Sequence, residues 1–381
     1  MKKIYFLFIL ILAFTQLHAE DTIPQNIRSL QTLSDANAPS GFERRVRKII
    51  KQQWSPLVDK VKTDGLGNVI TIKKGVKESP RLLLMAHMDE VGFMVKSIDK
   101  NGYLSIQNLG GWVDNVLLGQ RWIIDTNKGP ITAYTGLEAG HIMPKGVAEP
   151  FVRMDKMFLD IGASSREEAV NKFHIRVGLP ISPYSKFTRL GRRRFLGKAF
   201  DDRAGLAVIT ETLKNIQGKK IPNYLMTAAT VQEEVGLRGA STIYKRTKPD
   251  AVINLEMGVA SDFPLLASNH STNIALGKGP TLFVYDRSMI PNTALLEWIA
   301  KLAKKKHIPF QYELEGGYGE DGSRLQLSSN GIPAINIGIP VRYAHQHAGV
   351  IDLQDFNNAI KLVSAIVENF DNSALNIIQY H

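Results

Sequence analysis

RLLLMAH, residues 81–87, is an apolar run that ends in a histidine and shows no alternation with polar side chains. Three further runs have the same character, namely YLMTAATV (224–231), AVINLE (251–256) and AINIGIP (334–340). Runs of this length without alternation are typical of strands buried on both faces, as in a largely parallel sheet covered by helices. The four runs therefore predict the strands of a central sheet.

Helical patterns lie between and after these strands. Apolar residues recur at helical spacing in four segments, and in the first of them Ser40 and Glu43 have the spacing of a capping box. The segments are SGFERRVRKIIKQQW (40–54), DRAGLAVITETLKNI (202–216), NTALLEWIAKLAKKK (292–306) and FNNAIKLVSAIVENF (356–370). Buried strands that alternate with amphipathic helices predict an α/β sandwich.

The stretch 91–184 interrupts this alternation. It is rich in glycine and proline and contains short strand-like pieces such as GYLSIQNLG (102–110) and KMFLDIGA (156–163). Hairpin-sized strands of this kind predict a small β domain that is inserted between two strands of a larger domain. We expect the larger domain to consist of residues 20–90 and 185–381.

The composition is that of an ordinary globular protein, with 381 residues of which 44% are hydrophobic and 22% charged. The absence of cysteine excludes disulfides, thiolate metal ligands and a cysteine nucleophile. Any metal site must therefore use histidine, aspartate and glutamate.

The formal net charge of +11 is spread over the chain, and its densest basic patches, RLGRRRF (189–195) and KKKH (304–307), lack interleaved aromatic residues. We therefore expect no nucleic-acid partner.

The first residues have the pattern of a signal peptide. Lys2 and Lys3 precede an apolar run from Ile4 to Phe14, and a short polar stretch then ends at Ala19. The run is too short to span a bilayer and has the length of a signal-peptide core. We expect residues 1–19 to be removed and the mature protein to be exported, either to the periplasm or outside the cell. If the segment stays attached, it is a membrane anchor.

Each of the four predicted strands brings a histidine or a carboxylate to its end. The sequences there are AHMDEVG, QEEVG, LEMG and VRYAHQHAG, and GKAFDDRAG (197–205) adds two aspartates before a helix. In open α/β sheets, ligands bind outside the carboxyl ends of the strands. We therefore expect these side chains to meet at one edge of the sheet.

This set of side chains suits a site for two divalent metal ions. Each ion needs about three protein ligands, and one carboxylate bridges the pair. The candidate ligands are His87 and Glu256 for one ion, Glu234 and His345 for the other, and Asp201 or Asp202 for the bridge. Zinc is the expected ion, and cobalt and manganese also suit histidine and carboxylate ligands.

Three further residues near these ligands have open or different roles. Asp89 is well placed to accept the second ring N–H of His87 and to fix its tautomer. Glu233 is free of metal in this assignment, and metal-assisted hydrolysis requires such a carboxylate as general base. His347 competes with His345, because spacing alone gives no preference between them.

Six motifs resemble, in order and over nearly the whole mature chain, those of the TET-type dinuclear metallo-aminopeptidases, a group that includes glutamyl and deblocking aminopeptidases. They are AHMDEVGFMV, GGWVDNVLLGQR, FLDIGASSREEA, GKAFDDRAG, TVQEEVGLRGA and IPVRYAHQ. The resemblance implies a zinc-peptidase-like catalytic domain of three layers, helix, mixed sheet and helix, interrupted by a small PDZ-like dimerisation domain. It also implies dimers that assemble into a tetrahedral dodecamer and act on peptide substrates.

The resemblance also implies roles for single residues. It makes Asp201 the bridge, with a cis peptide bond before Asp202, and it selects His345 rather than His347. His87 and Glu234 become ligands and Glu233 the base. The chain departs from the usual pattern at two carboxylates, because Glu256 replaces an aspartate and Glu320 precedes Asp321 in GGYGEDGS (316–323). Glu320 should lie close to the substrate and is one candidate for recognising its α-amine.

We therefore predict an exported, metal-dependent aminopeptidase. A carboxypeptidase or an N-acyl amino acid deacylase would use the same metals and base. A glycoside hydrolase would need two carboxylates that face each other across the scissile bond, which the adjacent Glu233 and Glu234 fit poorly. A non-catalytic binding protein that has kept the fold is the remaining alternative.

Overall fold

The computed structural model describes residues 23–139, 141–142, 152–264 and 273–379. The predicted signal peptide, residues 1–19, lies outside the described residues. Within the described residues, no helix combines the length and the apolar character needed to cross a membrane.

Strands of the described residues form two sheets. They are β1 (Lys60–Thr63), β2 (Val69–Lys73), β3 (Arg81–His87), β4 (Gly92–Ile98), β5 (Leu104–Leu109), β6 (Arg121–Thr126), β7 (Gly129–Tyr134), β8 (Pro180–Pro183), β9 (Thr188–Leu190), β10 (Arg194–Gly197), β11 (Tyr224–Thr230), β12 (Ala251–Val259), β13 (Thr281–Tyr285), β14 (Gln311–Leu314), β15 (Ala334–Arg342) and β16 (Gly349–Asp352).

The α-helices are distributed along the whole described chain. They are α1 (Arg28–Ser34), α2 (Arg44–Trp54), α3 (Arg166–Asn171), α4 (Phe200–Asn215), α5 (Ala240–Thr247), α6 (Thr293–Lys305), α7 (Asp321–Gln326), α8 (Leu353–Asn369) and α9 (Asn372–Ile378).

The larger sheet has 11 strands, in the order β1-β2-β11-β3-β12-β15-β16-β10-β9, with β13 pairing with β15 and β14 pairing with β13. Its centre is parallel, because β11, β3, β12 and β15 run in the same direction. These are the four strands predicted from the apolar runs. The flanking pairs of β1 with β2 and of β15 with β16 are antiparallel, so the sheet is mixed.

Both faces of this sheet are buried, which explains the unbroken apolar runs. In β3, Leu82 and Leu84 belong to the core on one face, which α4 and α8 cover. Leu83 and Met85 belong to a second core on the other face, together with residues of α5 and α7. The architecture is therefore helix, mixed sheet, helix, and the predicted α/β class is confirmed.

The smaller sheet is antiparallel, with the order β5-β4-β8-β6-β7, and has its own core around Phe93, Trp122 and Ile181. Its strands lie between Gly92 and Pro183, within the stretch predicted to be an insertion. Its first strand follows β3 after four residues, so the smaller sheet starts next to the carboxyl edge of the larger one. Domain boundaries at 90/91 and 184/185 stay a prediction.

The capping box expected for the first long helix is wrong. Helix α2 begins at Arg44, and Glu43 occupies the N-cap position without a capping hydrogen bond from its side chain. The Ser40 hydroxyl instead donates to Asp89 Oδ2 at 2.6 Å, and Glu43 Oε1 accepts the Gly41 N–H at 2.6 Å. Both residues are therefore used in the loop beside the carboxyl edge of the sheet.

Candidate metal centre

The predicted site residues meet at the carboxyl edge of the parallel strands. His87 is the last residue of β3, and Glu256 lies in β12. Glu234 follows β11, His345 lies in the loop between β15 and β16, and Asp201 lies in the first turn of α4. The parallel register of the four central strands brings these side chains, which are far apart in sequence, to one place.

Asp201 lies between the two histidines. Its Oδ1 is 2.8 Å from His87 Nε2, and its Oδ2 is 3.1 Å from His345 Nε2. Burial alone would raise the pKa of Asp201, but the hydrogen bonds with His345 and His87 outweigh burial and lower it. Because each oxygen faces a different histidine, the carboxylate has the arrangement that a bridging ligand needs.

Glu234 and Glu256 lie on opposite sides of this bridge. Glu234 Oε2 is 3.5 Å from His345 Nε2, and Glu256 Oε2 is 3.9 Å from His87 Nε2. The negative charge of Glu234 and the hydrogen bond with Asp201 raise the pKa of His345 to about 10 in spite of its burial. Each histidine thus lies close to the carboxylate with which it was predicted to share a cation.

The turn after β11 separates the adjacent pair Glu233 and Glu234. The strand ends at Thr230, and Gln232 has a φ of 55°, so the extended alternation of side chains is broken before the pair. Glu234 then lies beside His345, while Glu233 has a carboxylate oxygen within 4.8 Å of oxygens of Glu256 and Glu320. Burial raises the pKa of Glu233 well above its ordinary value, and nearby carboxylates act in the same direction.

The carboxylate of Asp89 accepts hydrogen bonds from the backbone of this turn. Its Oδ1 accepts the backbone N–H of Glu233 at 3.0 Å, and its Oδ2 accepts that of Glu234 at 3.2 Å. The nearer partner of His87 Nδ1 is the backbone carbonyl of Asp89 at 3.0 Å, and the carboxylate lies farther away at 3.5 Å. A proton held on Nδ1 by this carbonyl would leave Nε2 free to bind a cation placed beside Asp201. Sequence reasoning missed the contacts of the Asp89 carboxylate with the turn.

Asp202 has a different environment from Asp201. Its Oδ1 accepts the Gly205 N–H at 2.9 Å, and its Oδ2 accepts the His87 N–H at 3.3 Å. The peptide bond between the two aspartates is cis. Asp202 therefore faces backbone groups, and Asp201 faces the histidines.

His347 lies away from the acidic residues. Its Nε2 donates to the carbonyl oxygen of Arg121 at 2.7 Å, and its ring packs edge-on against Trp122 with 5.3 Å between ring centroids. Both partners belong to β6 of the smaller sheet. His347 therefore connects the loop that carries His345 to that sheet.

The site opens into a cavity of about 530 Å³. Besides predicted site residues and Glu320, it is lined by Gly111 from the loop after β5 and by Gly236, Leu237, Met257, Val259, Gly317, Tyr318, Gly319, Arg324 and Ala344. The neighbouring Gly110 has a φ of 84°, and a Cβ there would lie 3.0 Å from Glu234 Oε2. A glycine at this position therefore lets the smaller sheet approach the site closely.

The residues present fit a metal centre. His87, Asp201 and Glu234 offer ligand atoms within 4.8 Å of one another, and so do Glu233, Glu256 and Glu320. Glu234 Oε1 is buried without a hydrogen-bond partner among the described residues. Burial raises the pKa of Glu234 to about 7 and that of Glu256 well above its ordinary value. Divalent cations would give these buried carboxylates the positive partners that they need.

Known aminopeptidases are similar in sequence to most of this chain. The family model of the M42 glutamyl aminopeptidases matches residues 67–362. The glutamyl aminopeptidase of Lactococcus lactis subsp. cremoris is 32% identical over 346 residues, which are 90% of this chain and 96% of that protein.

Solved structures of similar proteins share the fold over nearly the whole chain. A TET aminopeptidase from a marine sediment archaeon of the Thaumarchaeota is 42% identical, with a TM-score of 0.89 over 93% of this chain and 100% of the other. The Pyrococcus horikoshii TET1 peptidase, which can assemble into a tetrahedron or a large octahedral shell, is 27% identical, with a TM-score of 0.81 over 91% of this chain and 100% of the other.

Proposed function

This chain belongs to the M42 glutamyl aminopeptidase family and is an aminopeptidase, and from this premise we propose that it removes N-terminal residues from peptides with two divalent metal ions and Glu233 as general base. One observation carries the proposal. The two oxygens of Asp201 face His87 and His345 at 2.8 and 3.1 Å, with one further carboxylate beside each histidine.

The proposed ligands are His87 and Glu256 for one cation, Glu234 and His345 for the other, and Asp201 for both. Zinc is the proposed ion, since histidine and carboxylate ligands suit it, and cobalt and manganese accept the same ligands. When bound, such cations polarise the scissile carbonyl and lower the pKa of water.

Glu233 moves the proton in the proposed reaction. One of its carboxylate oxygens takes a proton from the attacking water and then passes it to the nitrogen of the leaving amine. The hydrogen bond from its backbone N–H to Asp89 holds the turn that carries it, at 3.0 Å. Its burial excludes bulk water, which strengthens the electrostatic interactions inside the site.

Self-association and export are further parts of the proposal. The assembly of the Pyrococcus horikoshii relative into a tetrahedron or a large octahedral shell supports self-association of this chain, as a dimer or a dodecamer, with the smaller sheet at the dimer contact. The lysines and apolar run within residues 1–19 support export to the periplasm or outside the cell.

Turnover of a substrate panel tests the proposed function. The panel contains free and N-acetylated aminoacyl and dipeptide substrates, assayed before chelation, after chelation and after zinc or cobalt is restored, together with elemental analysis of the protein. We expect hydrolysis of free N-termini that requires two cations per chain. Activity confined to blocked substrates would indicate a deacylase, release of C-terminal residues a carboxypeptidase, and a metal-loaded but inactive protein a binding protein.

A further inference from the structure

Glu320 is a buried carboxylate of the cavity that is neither a proposed metal ligand nor the proposed base. It immediately precedes helix α7 and is 8% exposed. It lines the same cavity as Asp201, Glu233 and His345. One of its oxygens lies within 4.8 Å of ligand atoms of both Glu233 and Glu256, so it faces the proposed base and one proposed ligand.

Glu320 lacks a positive partner in the described part of the chain. Its backbone N–H donates to Ser288 Oγ at 3.3 Å and its carbonyl oxygen accepts the Ser323 hydroxyl at 2.7 Å, so both contacts use its main chain. Its side chain lies close to that of Glu256, which is a second acid. Arg324 lines the same cavity but is exposed and forms no ion pair with it. Several acids this close together can all be ionised only beside a positive charge, so a cation from outside would stabilise the ionised form of Glu320.

The proposed metal ions do not account for this carboxylate. Two divalent cations would carry four positive charges, which Asp201, Glu233, Glu234 and Glu256 would match, and Glu320 adds one more negative charge beside Glu233 and Glu256. The general base must lie within hydrogen-bond reach of the water that attacks the scissile carbonyl. The α-nitrogen of the first residue is only two bonds from that carbonyl carbon. A group close to Glu233 is therefore at the right distance to contact the α-nitrogen.

We propose that Glu320 binds the α-ammonium group of the substrate's first residue and thereby restricts the enzyme to free N-termini. This inference rests on the proposed aminopeptidase function. The group recognised is a primary ammonium attached to the carbon next to the scissile carbonyl. An acetylated N-terminus lacks the positive charge and cannot neutralise the carboxylate, so blocked substrates leave Glu320 buried and unpaired.

Binding measurements on the metal-loaded protein test this role. The probes are L-leucine and its desamino analogue 4-methylpentanoate, which differ in the ammonium group, titrated by calorimetry into wild type, Glu320→Gln and Glu320→Asp. Glu297→Gln, at an exposed position on α6, is the matched control. Metal content is determined for every variant, and turnover of leucine anilide and its desamino analogue is measured in parallel.

We expect wild type and Glu297→Gln to prefer L-leucine. Glu320→Gln should lose about 10- to 100-fold in affinity for L-leucine, as for loss of a charged hydrogen bond, with unchanged affinity for the analogue and unchanged metal content. Glu320→Asp should keep part of the preference. Equal affinities of wild type for the two probes, an undiminished preference in Glu320→Gln, or loss of one cation from that variant would each overturn the proposal. If the proposed aminopeptidase function itself were wrong, the wild-type protein would hydrolyse no substrate with a free N-terminus.

Discussion

The carboxylate of Asp89 accepts the backbone N–H of Glu233, with 3.0 Å between Oδ1 and the nitrogen. Its other oxygen accepts the N–H of Glu234 and the hydroxyl of Ser40. We expect Asp89→Asn to lower kcat by about 10- to 100-fold, as for other residues that orient metal ligands, because an amide nitrogen cannot accept these hydrogen bonds. Steady-state kinetics at known metal content measures the effect.

The exposed Asp99 provides a control for this change, since its carboxylate also accepts two backbone N–H groups of a turn, those of Asn101 and Tyr103. Asp99→Asn should leave kcat unchanged. If Asp89→Asn had the kcat of wild type, the turn would be held by other contacts, and the positioning role of Asp89 would be refuted.

Glu233→Gln should separate metal binding from turnover. The amide keeps the size of the side chain but cannot take a proton from water, so kcat should fall by about 100- to 10,000-fold. Metal content should stay that of wild type, because Glu233 is not among the proposed ligands. Elemental analysis and steady-state kinetics check both statements, and a variant that keeps most of its activity would exclude Glu233 as the base.

His347→Ala should disturb His345 through the loop that carries both. The change removes the 2.7 Å hydrogen bond to the Arg121 carbonyl and the ring contact with Trp122. We expect a loss of up to about 10-fold in metal affinity and in kcat/KM, as for one hydrogen bond. Competition with a chelator of known affinity measures the first quantity.

Two variants make the His347 result specific. His347→Gln can still donate a hydrogen bond to the Arg121 carbonyl and should recover part of the lost metal affinity and kcat/KM. His174 is exposed and has a φ of 57°, a conformation that asparagine tolerates, so His174→Asn should behave like wild type. Equal losses in His347→Ala and His174→Asn would argue against the connection between the two sheets.

Glu313 should make stability depend on pH. Burial raises its pKa from 4.5 to about 7, and its Oε2 is buried without a hydrogen-bond partner among the described residues. Because the folded state holds this proton more tightly than the unfolded state, the stabilisation is complete below pH 4.5 and is lost as the pH rises through about 7. Gln does not ionise and can still accept the Val259 N–H that Glu313 binds at 3.0 Å.

Denaturant unfolding at pH 5 and pH 8 tests this assignment. At pH 8, Glu313→Gln should have the larger free energy of unfolding, by up to about 3 kcal/mol at 1.36 kcal/mol per pKa unit, and the difference should shrink at pH 5. Glu297→Gln serves as the exposed control. If the free energies of unfolding of wild type and Glu313→Gln changed by the same amount between pH 5 and pH 8, Glu313 would not be the group that holds the proton.

The central sheet could be predicted from sequence because its strands are buried on both faces, so each apolar run identifies its own strand. The grouping of His87 with Glu256 and of Glu234 with His345 could be predicted because parallel strands end at one edge. The contacts of Asp89 could not, since they depend on the conformation of the turn after β11, which strand register does not determine. The capping box failed because Ser40 bonds to Asp89, 49 positions away, rather than to its own helix.

The position of Asp201 between His87 and His345 also bears on how the site assembles during folding. Asp201 is 114 positions from His87 and 144 positions from His345, and the two histidines lie at or just after the ends of different strands of the sheet, β3 and β15. No short segment therefore contains both neighbours of this carboxylate. A partly folded chain in which β15 has not joined the sheet would lack His345 beside Asp201, so the complete set of proposed ligands forms only with the whole central sheet.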